Sequence, residues 1–550
     1  MITVATKPRT IPGTLPRAIR VLGSGTVEVA IVGSGFAGIG MASRLLAHGF
    51  HDFVVLERGA DVGGTWRDNT YPGAACDVPS HLYSFSFAPN PDWSRSFSPQ
   101  AEILEYLRNT AENLGVTPHV RFGSELLDAT WNETLRRWEL ETSRGRLDAR
   151  FLILAAGGLS EPSIPEIPGL ADFEGAVFHS ARWDDAHDLA GANVAVVGTG
   201  ASAIQIVPSI QPICGHLTVY QRTPAWVIPR YDRAFSRAER YLFRHVPIAR
   251  RLIRGAIYWG RETYVLGFTR QPKLMRLPQS LAELHLRRQV RDPALRAKLR
   301  PHFTIGCKRV LISNDWYPAL CRPNVELVTE AISEVRARSV VASDGTERQV
   351  DTIVFCTGFH VTELPAARRV RGNHGVVLAE AWRDGMEAYK GSTVAGFPNL
   401  FILVGPNTGL GHTSMVLMIE SQVAYVADAL EHMWKSGAEV LEVKPEAQSA
   451  WNLRVQDRMR STVWTRGGCA SWYLDANGRN TTLWPRSTWS FRRATRRFDS
   501  GSYRTVPAHP GTGATASEGR GRPEPATTVQ PKSDSALPNA QERRSPASIA

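Results

Sequence analysis

Two glycine-rich turns, each set between an apolar strand and a helical stretch, constrain the fold of this 550-residue chain more than any other feature. In the first, an apolar strand enters Gly33-x-Gly35-x-x-Gly38, a helix follows, and a second strand ends in Glu57. This order forms a complete βαβ unit of the kind that binds dinucleotides. We predict its strands over 27–32 and 53–56, and its helix up to residue 46.

Each glycine of this turn has a physical task. Gly33 allows the tight turn, Gly35 lets a pyrophosphate approach the backbone, and Gly38 lets the helix pack on the sheet. The helix N-terminus supplies amides and a partial positive charge for the phosphates. Glu57 would accept hydrogen bonds from ribose hydroxyls. The first unit therefore favours a cofactor with free ribose hydroxyls, such as FAD.

The second turn has a different residue at the end of its second strand. A strand enters Gly198-x-Gly200-x-x-Ala203, a helix follows, and the next strand leads into Arg222-Thr223. An acid there would repel a 2′-phosphate, whereas an arginine pairs with it through charge-assisted hydrogen bonds. The second unit is thus predicted to bind NADP(H). We predict its strands over 193–197 and 217–220.

Two dinucleotide sites in one chain indicate an α/β fold with two doubly wound, Rossmann-like domains, and a flavoprotein reduced by NADPH. A disulfide acceptor would need a C-x-x-C or C-x-x-x-x-C pair near the flavin, and the sequence has neither. Dioxygen is the other acceptor. Reduced flavin reacts with it to a C4a-(hydro)peroxide, which oxygenates a substrate if it is kept dry.

The cysteines and the N-terminus favour the cytoplasm. Scattered cysteines in a long chain suit reduced thiols that serve in packing. The N-terminus has no apolar core of a secretory signal, and no apolar run approaches the roughly 18 residues of a membrane span. The six cysteines are Cys76, Cys214, Cys307, Cys321, Cys356 and Cys469.

The net charge of +12 is concentrated in one segment. Residues 230–300 contain 18 Lys and Arg against 5 Asp and Glu, so the rest of the chain is near neutral. Apolar residues recur there at helical spacing between arginines. This pattern suits a basic amphipathic surface for membrane lipid or an acidic partner, or else a helical insertion with solvated arginines. Nucleic-acid binding is not favoured, because no binding motif accompanies the charge.

The segment just before the second turn reads Phe173-x-Gly175-x-x-x-His179-x-x-x-Trp183-Asp184. It resembles the fingerprint of the type I Baeyer–Villiger monooxygenases, within the flavin-containing monooxygenase superfamily. The resemblance extends from about residue 27 to 500. It departs from the family pattern at Ala75, where arginine is common, and at Trp316-Tyr317, where Tyr-Tyr is common. The other similar segments are GGTW (63–66), YPGAACDV (71–78), IGCKRVLISNDWYPAL, VFCTGF, FPNLFILVGPNTGLGHTS and CASWYLDANGRNTTLWP.

The resemblance implies oxidation of ketones to esters or lactones through a C4a-peroxyflavin. The active arginine falls on Arg309 and its carboxylate partner on Asp77; a fixed guanidinium suits a peroxyanion. His179 would couple domain movement to cofactor position. The resemblance implies flavin contacts at Gly64, Thr65, Trp66, Asp77 and Tyr83. It implies 2′-phosphate contacts at Lys308, Arg222 and Thr223, and a nicotinamide contact at Trp472.

Two alternatives stay open at this point: a flavin monooxygenase that oxidises nitrogen or sulfur, and a non-catalytic flavoprotein that senses or binds through its basic segment. The predicted division of the chain is a loose segment 1–26, FAD-binding parts 27–155 and 381–503, a linker with NADP-binding part 156–229, a basic helical insertion 230–300, an NADP-binding part 301–380 and a disordered tail 504–550.

Overall fold

The computed structural model describes residues 25–507. Most of the predicted loose segment 1–26 and of the predicted tail 504–550 lies outside these residues. The predicted start of the tail is wrong, because 504–507 belong to a strand that pairs antiparallel with 438–443. Tyr503 anchors this strand by burying its ring.

The described chain contains twenty strands. They are β1 (Thr26–Val32), β2 (Phe53–Leu56), β3 (Val120–Arg121), β4 (Leu126–Asn132), β5 (Arg137–Thr142), β6 (Gly145–Leu154), β7 (Ala176–His179), β8 (Asn193–Val197), β9 (His216–Tyr220), β10 (Val227–Ile228), β11 (Leu311–Ile312), β12 (Val325–Val328), β13 (Ile332–Arg336), β14 (Ser339–Ala342), β15 (Glu347–Gln349), β16 (Thr352–Phe355), β17 (Val370–Arg371), β18 (Leu400–Ile402), β19 (Ala438–Val443) and β20 (Tyr503–Pro507).

Fourteen α-helices accompany the strands within residues 25–507. They are α1 (Phe36–Ala47), α2 (Thr65–Asp68), α3 (Gln100–Asn113), α4 (Ala203–Ile210), α5 (Arg237–His245), α6 (Pro247–Glu262), α7 (Arg276–Gln289), α8 (Pro293–Leu299), α9 (Trp316–Leu320), α10 (Leu378–Ala381), α11 (Met415–Ser436), α12 (Pro445–Met459), α13 (Val463–Arg466) and α14 (Thr488–Ala494).

The first sheet contains the first glycine-rich turn. Its strand order is β17-β4-β5-β6-β1-β2-β3, with β18 also paired to β6. β1 pairs in parallel with both β2 and β6, so the turn after β1 opens at the carboxyl edge of three neighbouring parallel strands. Helices α1, α3 and α11 cover one face through a large apolar cluster, and a second cluster packs on the other face. Open α/β sheets bind ligands at this edge.

The second sheet is wholly parallel, in the order β12-β9-β8-β16-β7. The second glycine-rich turn follows β8, and β7 is part of the fingerprint segment. Strand β16 lies between them, with Phe355 in register with both Val197 and His179. The predicted α/β class with two doubly wound sheets is confirmed, because each turn joins a buried parallel strand to a helix at a sheet edge.

The basic segment is helical, as predicted. It contains α5 to α8, and a short π-helical turn, Leu266–Arg270, lies between α6 and α7. Phe243 of α5 and Ile253, Ile257 and Tyr258 of α6 pack against the apolar cluster of the first sheet. The insertion is therefore docked on the body of the protein. Within residues 25–507, no helix is both long and apolar enough to cross a membrane.

Candidate active site

The first turn can only be built with glycine at two positions. Gly33 has a φ of 101°, in the region that favours glycine, and a Cβ there would lie 2.8 Å from the Ala155 carbonyl oxygen. A Cβ on Gly38 would overlap the Gly33 carbonyl oxygen. At Gly35 the nearest atom to an added Cβ would be the Gly64 Cα, at 3.8 Å. The turn thus exposes backbone without a side chain at Gly35, which leaves room for a pyrophosphate.

Glu57 is held at the end of β2 by four donors. Its Oε2 accepts from the Ser34 amide at 2.9 Å and the Ser34 hydroxyl at 2.7 Å. Its Oε1 accepts from the Gly59 amide and from Arg67, both at 2.7 Å. Burial alone would raise the pKa of Glu57, but these hydrogen bonds and the Arg67 charge lower it. Glu57 is thus an ionised acceptor fixed beside the turn.

A groove runs from this turn past the segment after β2. Gly64 has a φ of 51° and closes against Gly35, which leads the chain into α2. Trp66 donates from its indole nitrogen to the Tyr83 hydroxyl at 3.0 Å, and the two rings meet edge to face. Thr65 and Trp66 both line the groove. An elongated groove with bare backbone at the turn and aromatic rings along it fits a flavin dinucleotide.

Arg309 and Asp77 form a two-pronged ion pair. Arg309 donates from Nε to Oδ2 at 2.8 Å and from Nη2 to Oδ1 at 2.6 Å, across 232 positions of sequence. Both side chains are half-buried. Asp77 precedes α3 on the side of the first sheet, and Arg309 precedes β11. The pair therefore joins two segments that are remote in sequence.

The two charges stabilise each other. The Asp77 carboxylate raises the pKa of Arg309 above its already high value, against the effect of burial. Burial alone would raise the pKa of Asp77, but the Arg309 charge and hydrogen bonds lower it. Tyr473 is buried beside them, and burial raises the pKa of Tyr473 to about 12, with Arg309 acting in the opposite direction. The Arg309 guanidinium is therefore a fixed positive charge, and the Tyr473 ring lies beside it.

The second turn repeats the construction of the first. Gly198 has a φ of 113°, and a Cβ there would lie 2.6 Å from the Cys356 carbonyl oxygen. Gly200 faces open space, and Ala203 is fully buried at the start of α4. The open position beside Gly200 leaves room for a phosphate at the mouth of the turn.

Two cations meet beside the end of β9. Arg222 is exposed, and the pKa of Lys308 is lowered by burial and by the Arg222 charge. Neither forms an ion pair with a carboxylate of residues 25–507. Thr223 accepts a hydrogen bond at its carbonyl oxygen from the Thr199 hydroxyl at 3.2 Å, which fixes the backbone there. Two neighbouring cations without a carboxylate partner suit a phosphate group.

The comparisons with known proteins agree with this geometry. The family described as pyridine nucleotide-disulphide oxidoreductase matches residues 30–236. A Baeyer–Villiger monooxygenase of Streptomyces coelicolor is 56% identical over 494 residues, which cover 90% of this chain and 95% of that protein. The chain belongs to the Baeyer–Villiger monooxygenases. It is an oxidoreductase, and the resemblance read from the fingerprint is confirmed.

Further relatives of this Baeyer–Villiger monooxygenase support the assignment. A Baeyer–Villiger monooxygenase of Pseudomonas aeruginosa is 49% identical over 478 residues, covering 86% of this chain and 91% of the relative. The crystal structure of OTEMO in complex with FAD and NADP superposes with a TM-score of 0.80 at 26% identity. It covers 88% of this chain and 100% of the other.

His179 does not join the Arg309–Asp77 pair by any hydrogen bond in the described part of this monooxygenase. Its ring is buried at the end of β7, where Nδ1 accepts from the Ala181 amide at 3.1 Å. Burial and the Arg182 charge lower the pKa of His179 to about 4. A neutral histidine that caps a turn suits a structural link between β7 and the turn, and not proton transfer.

The residue that follows the fingerprint contacts the first-sheet side. Asp185 accepts from the Thr70 hydroxyl at 3.2 Å, while Trp183 packs edge to face on Phe178 within the segment. A Cβ on Gly175 would overlap the Asp351 carbonyl oxygen, so glycine is required there. The segment is a packed connector beside the second sheet.

The prediction of reduced, unpaired cysteines is wrong for two of the six. Cys307 and Cys469 form a disulfide across 162 residues, whereas Cys76, Cys214, Cys321 and Cys356 are free. The spacing of the cysteines does not predict this pair, because only the fold brings the segment before β11 into contact with the segment after α13. Thr304 donates its amide to the Gly467 carbonyl oxygen at 3.0 Å beside the link. The disulfide places Trp472, which is exposed, on a segment tied to that of Arg309.

Three residues of this site are absent from the sequence prediction. Arg67 holds Glu57, and Tyr473 lies beside Arg309. Gln205 of α4 donates to the Ala75 carbonyl oxygen at 2.9 Å and accepts from the Tyr71 hydroxyl at 3.1 Å, so it joins the second turn to the segment before Asp77. Arg67 follows Trp66 and Tyr473 follows Trp472, so both are adjacent to residues that the motifs identify, and this adjacency is a sequence signal for them. The sequence around Gln205 contains no comparable signal.

Proposed function

We propose that this chain uses NADPH and dioxygen to insert one oxygen atom next to the carbonyl of a ketone, giving an ester or lactone. The Arg309–Asp77 pair carries the proposal. A half-buried guanidinium held at two nitrogens by a carboxylate is a fixed positive charge, which is what a reaction that develops negative charge on oxygen requires. Membership of the Baeyer–Villiger family supports the same reaction.

The groove at the first turn would hold FAD, and the second turn would hold NADPH. Gly33, Gly35 and Gly38 shape the pyrophosphate site, and the Glu57 carboxylate would accept hydrogen bonds from the ribose hydroxyls. Gly64, Thr65, Trp66 and Tyr83 line the groove towards Asp77. Bound FAD supplies the redox chemistry, taking hydride from NADPH and activating dioxygen. The known complex of a structural neighbour with both FAD and NADP supports this pairing.

Arg309 stabilises negative charge and polarises the ketone carbonyl. Its Nε and Nη2 are engaged by Asp77, which leaves Nη1 outside the ion pair. We expect Nη1 to donate to the reacting oxygen atoms. An arginine suits the task because its guanidinium stays charged throughout the pH range of the reaction and offers donors in a fixed plane.

Asp77 orients this guanidinium and stays ionised, since Arg309 lowers its pKa. Its two oxygens fix the plane of the guanidinium, which an uncharged amide would hold less firmly. Asp77 thus acts through Arg309. Because it also limits the net positive charge of the site, it tunes the strength of the cation.

On the NADPH side, Arg222, Thr223 and Lys308 bind the 2′-phosphate, and Gly198, Gly200 and Ala203 receive the pyrophosphate. Trp472 covers the nicotinamide end. His179 couples the fingerprint segment to the second sheet and so relates domain movement to cofactor position. The disulfide supports Trp472 in this role, because it fixes the start of its segment.

We also propose the division into FAD-binding parts 27–155 and 381–503, NADP-binding parts 156–229 and 301–380, and insertion 230–300. The two sheets support it with one exception. Strand β17 (Val370–Arg371) falls in the proposed part 301–380 but pairs with β4 in the first sheet, so the chain returns to the first sheet before residue 381. The cytoplasm is our proposal for the compartment, and it rests on the need for NADPH.

Product analysis tests the function. The purified chain is incubated with NADPH, oxygen and a panel of cyclic and linear ketones, with a thioether in parallel. We expect esters or lactones, and oxygen uptake that matches NADPH consumption. Sulfoxide from the thioether without any ester from the ketones would contradict the proposal and favour heteroatom oxidation. NADPH consumption that yields only hydrogen peroxide would also contradict it.

A further inference from the structure

The insertion presents an apolar face to solvent. Half of the exposed large apolar side chains of residues 25–507 lie between residues 231 and 284. On α6, Ile248, Leu252 and Trp259 are 56%, 67% and 56% exposed, at a spacing that places them on one side of the helix. We call these three residues the outer stripe. Tyr264 and Leu266 follow it directly and are also exposed.

The opposite side of α6 is firmly attached to the protein. Arg254 donates to the His81 carbonyl oxygen at 2.7 Å and to the Ser84 hydroxyl at 3.2 Å. At the last residue of the helix, the Glu262 carboxylate is buried 3.6 Å from the His412 imidazole. Ile253 and Ile257 pack into the cluster of the first sheet. The outer stripe is therefore not the side that docks α6, and nothing within residues 25–507 covers it.

Helix α7 repeats the pattern. Leu277, Leu281 and Leu284 are exposed at spacings of four and three, while Ala282 and Leu286 are buried. Two successive helices thus each bury one face and display an apolar one. Single exposed apolar residues are ordinary on a protein surface, but repeated stripes mark a surface that binds something.

The charges around the stripes favour an anionic partner. Each acid between 231 and 300 is already engaged: Asp232, Glu239 and Glu283 pair with arginines, Glu262 pairs with His412, and Asp292 caps α8. Many of the cations have no ion pair with residues 25–507. The exposed ones are Arg237, Arg240, Arg251, Arg270, Lys273, Arg276, Arg287, Arg288, Arg291 and Lys298.

We propose that α6 and α7 dock the protein on the surface of a bilayer that contains anionic phospholipid. Helices with aromatic and leucine residues on one side and arginines beside them lie in the headgroup region, with the apolar face towards the acyl chains. Each basic residue near such a surface adds to the attraction. A second copy is a poorer occupant, because symmetric contact would bring unpaired arginines together. This docking is independent of the oxidation chemistry proposed above.

Sedimentation with vesicles tests the docking. The full chain is mixed with vesicles of phosphatidylcholine alone or of phosphatidylcholine with phosphatidylserine. We expect binding to the mixed vesicles that weakens as salt rises, and little binding to the neutral ones. Absence of binding to the mixed vesicles at low salt would overturn the proposal.

Matched variants locate the contact. Leu252→Ser with Trp259→Ser should lower partitioning about tenfold or more, since it removes two apolar side chains from the face that would enter the acyl region. Arg251→Glu should lower it several-fold. The controls are Leu453→Ser, at a position 69% exposed on α12, and Arg146→Glu, exposed on β6. Equal losses in the controls would refute the assignment to α6. The oxidation of NADPH without vesicles should not change in any variant.

Self-association is examined in the same samples. Mass measured in solution over a range of protein concentrations should not change with Leu252→Ser. A concentration-dependent dimer that this variant abolishes would assign the outer stripe to a second copy and overturn the lipid proposal.

Discussion

The Cys307–Cys469 disulfide joins the segment of Lys308 and Arg309 to the segment of Trp472 and Tyr473. Cys307 is fully buried and Cys469 half-buried. The link lies two residues before the proposed catalytic arginine and three before the proposed nicotinamide contact. A covalent tie here restricts how far the two walls of the site can separate.

Removal of this link should destabilise the protein. Cys469→Ser is expected to cost about 2–4 kcal/mol of unfolding free energy, since the disulfide closes a long loop. Chemical denaturation measures it, with the exposed free thiol variant Cys321→Ser as the control. Alkylation of the unfolded, unreduced chain should modify four cysteines, and six after reduction. Modification of six without reduction would show that the disulfide is absent.

Arg309→Ala should abolish ester formation, by roughly 100- to 1,000-fold or more, because it removes a donor aimed at developing negative charge. Anaerobic reduction of the bound flavin by NADPH should survive largely intact. Rapid-mixing absorbance and product yield measure the two steps separately. Arg146→Ala is the control, as an exposed arginine far in sequence from the site. Normal ester yield from the Arg309 variant would refute its role.

Arg222→Ala should raise the KM for NADPH roughly tenfold or more and leave the KM for NADH nearly unchanged. A lost charge-assisted contact to the 2′-phosphate costs about 1.5–3 kcal/mol, and NADH has no such phosphate. Steady-state kinetics with both cofactors measures the effect. Equal changes for NADPH and NADH would show that Arg222 does not read the 2′-phosphate.

Gly38→Ala should yield protein with little bound flavin and a lower unfolding temperature. The added methyl group would overlap the Gly33 carbonyl oxygen, so α1 must move away from the turn. Flavin absorbance per protein and thermal unfolding measure the change. Gly255→Ala on α6 is the matched control, because its Cβ would meet open space. Full flavin content in the Gly38 variant would contradict the close packing.

Acid should destabilise the protein partly through His179. Its pKa falls from an ordinary value near 6.5 to about 4 in the folded state, so the unfolded chain takes up the proton first. Stability from this group is complete above about pH 6.5 and is lost between there and about pH 4, by at most about 1.4 kcal/mol per pH unit. His81, whose pKa burial also lowers to about 4, acts in the same direction.

The dependence of unfolding free energy on pH checks this. His179→Gln should flatten the slope between pH 6.5 and pH 4. An unaltered slope in the His179 variant would mean that folding does not lower the pKa of His179.

The sequence by itself determined the two nucleotide-binding units. Strand β2 and strand β8 have the predicted bounds, and β1, β9 and α1 differ by one residue at an end. These units are readable because a buried strand, a glycine turn and a helix follow from local rules: apolar runs, allowed φ values and close backbone approach. The helical insertion was readable for the same reason.

The tertiary structure decided which distant residues meet. Nothing in spacing or composition pairs Cys307 with Cys469, Glu57 with Arg67, or Gln205 with Ala75; the pairing of Arg309 with Asp77 came from the family resemblance alone. Such contacts depend on how two sheets and an insertion assemble, and local propensity carries no information about that. Which face of α6 is buried was likewise settled by packing, because both of its faces are rich in apolar residues.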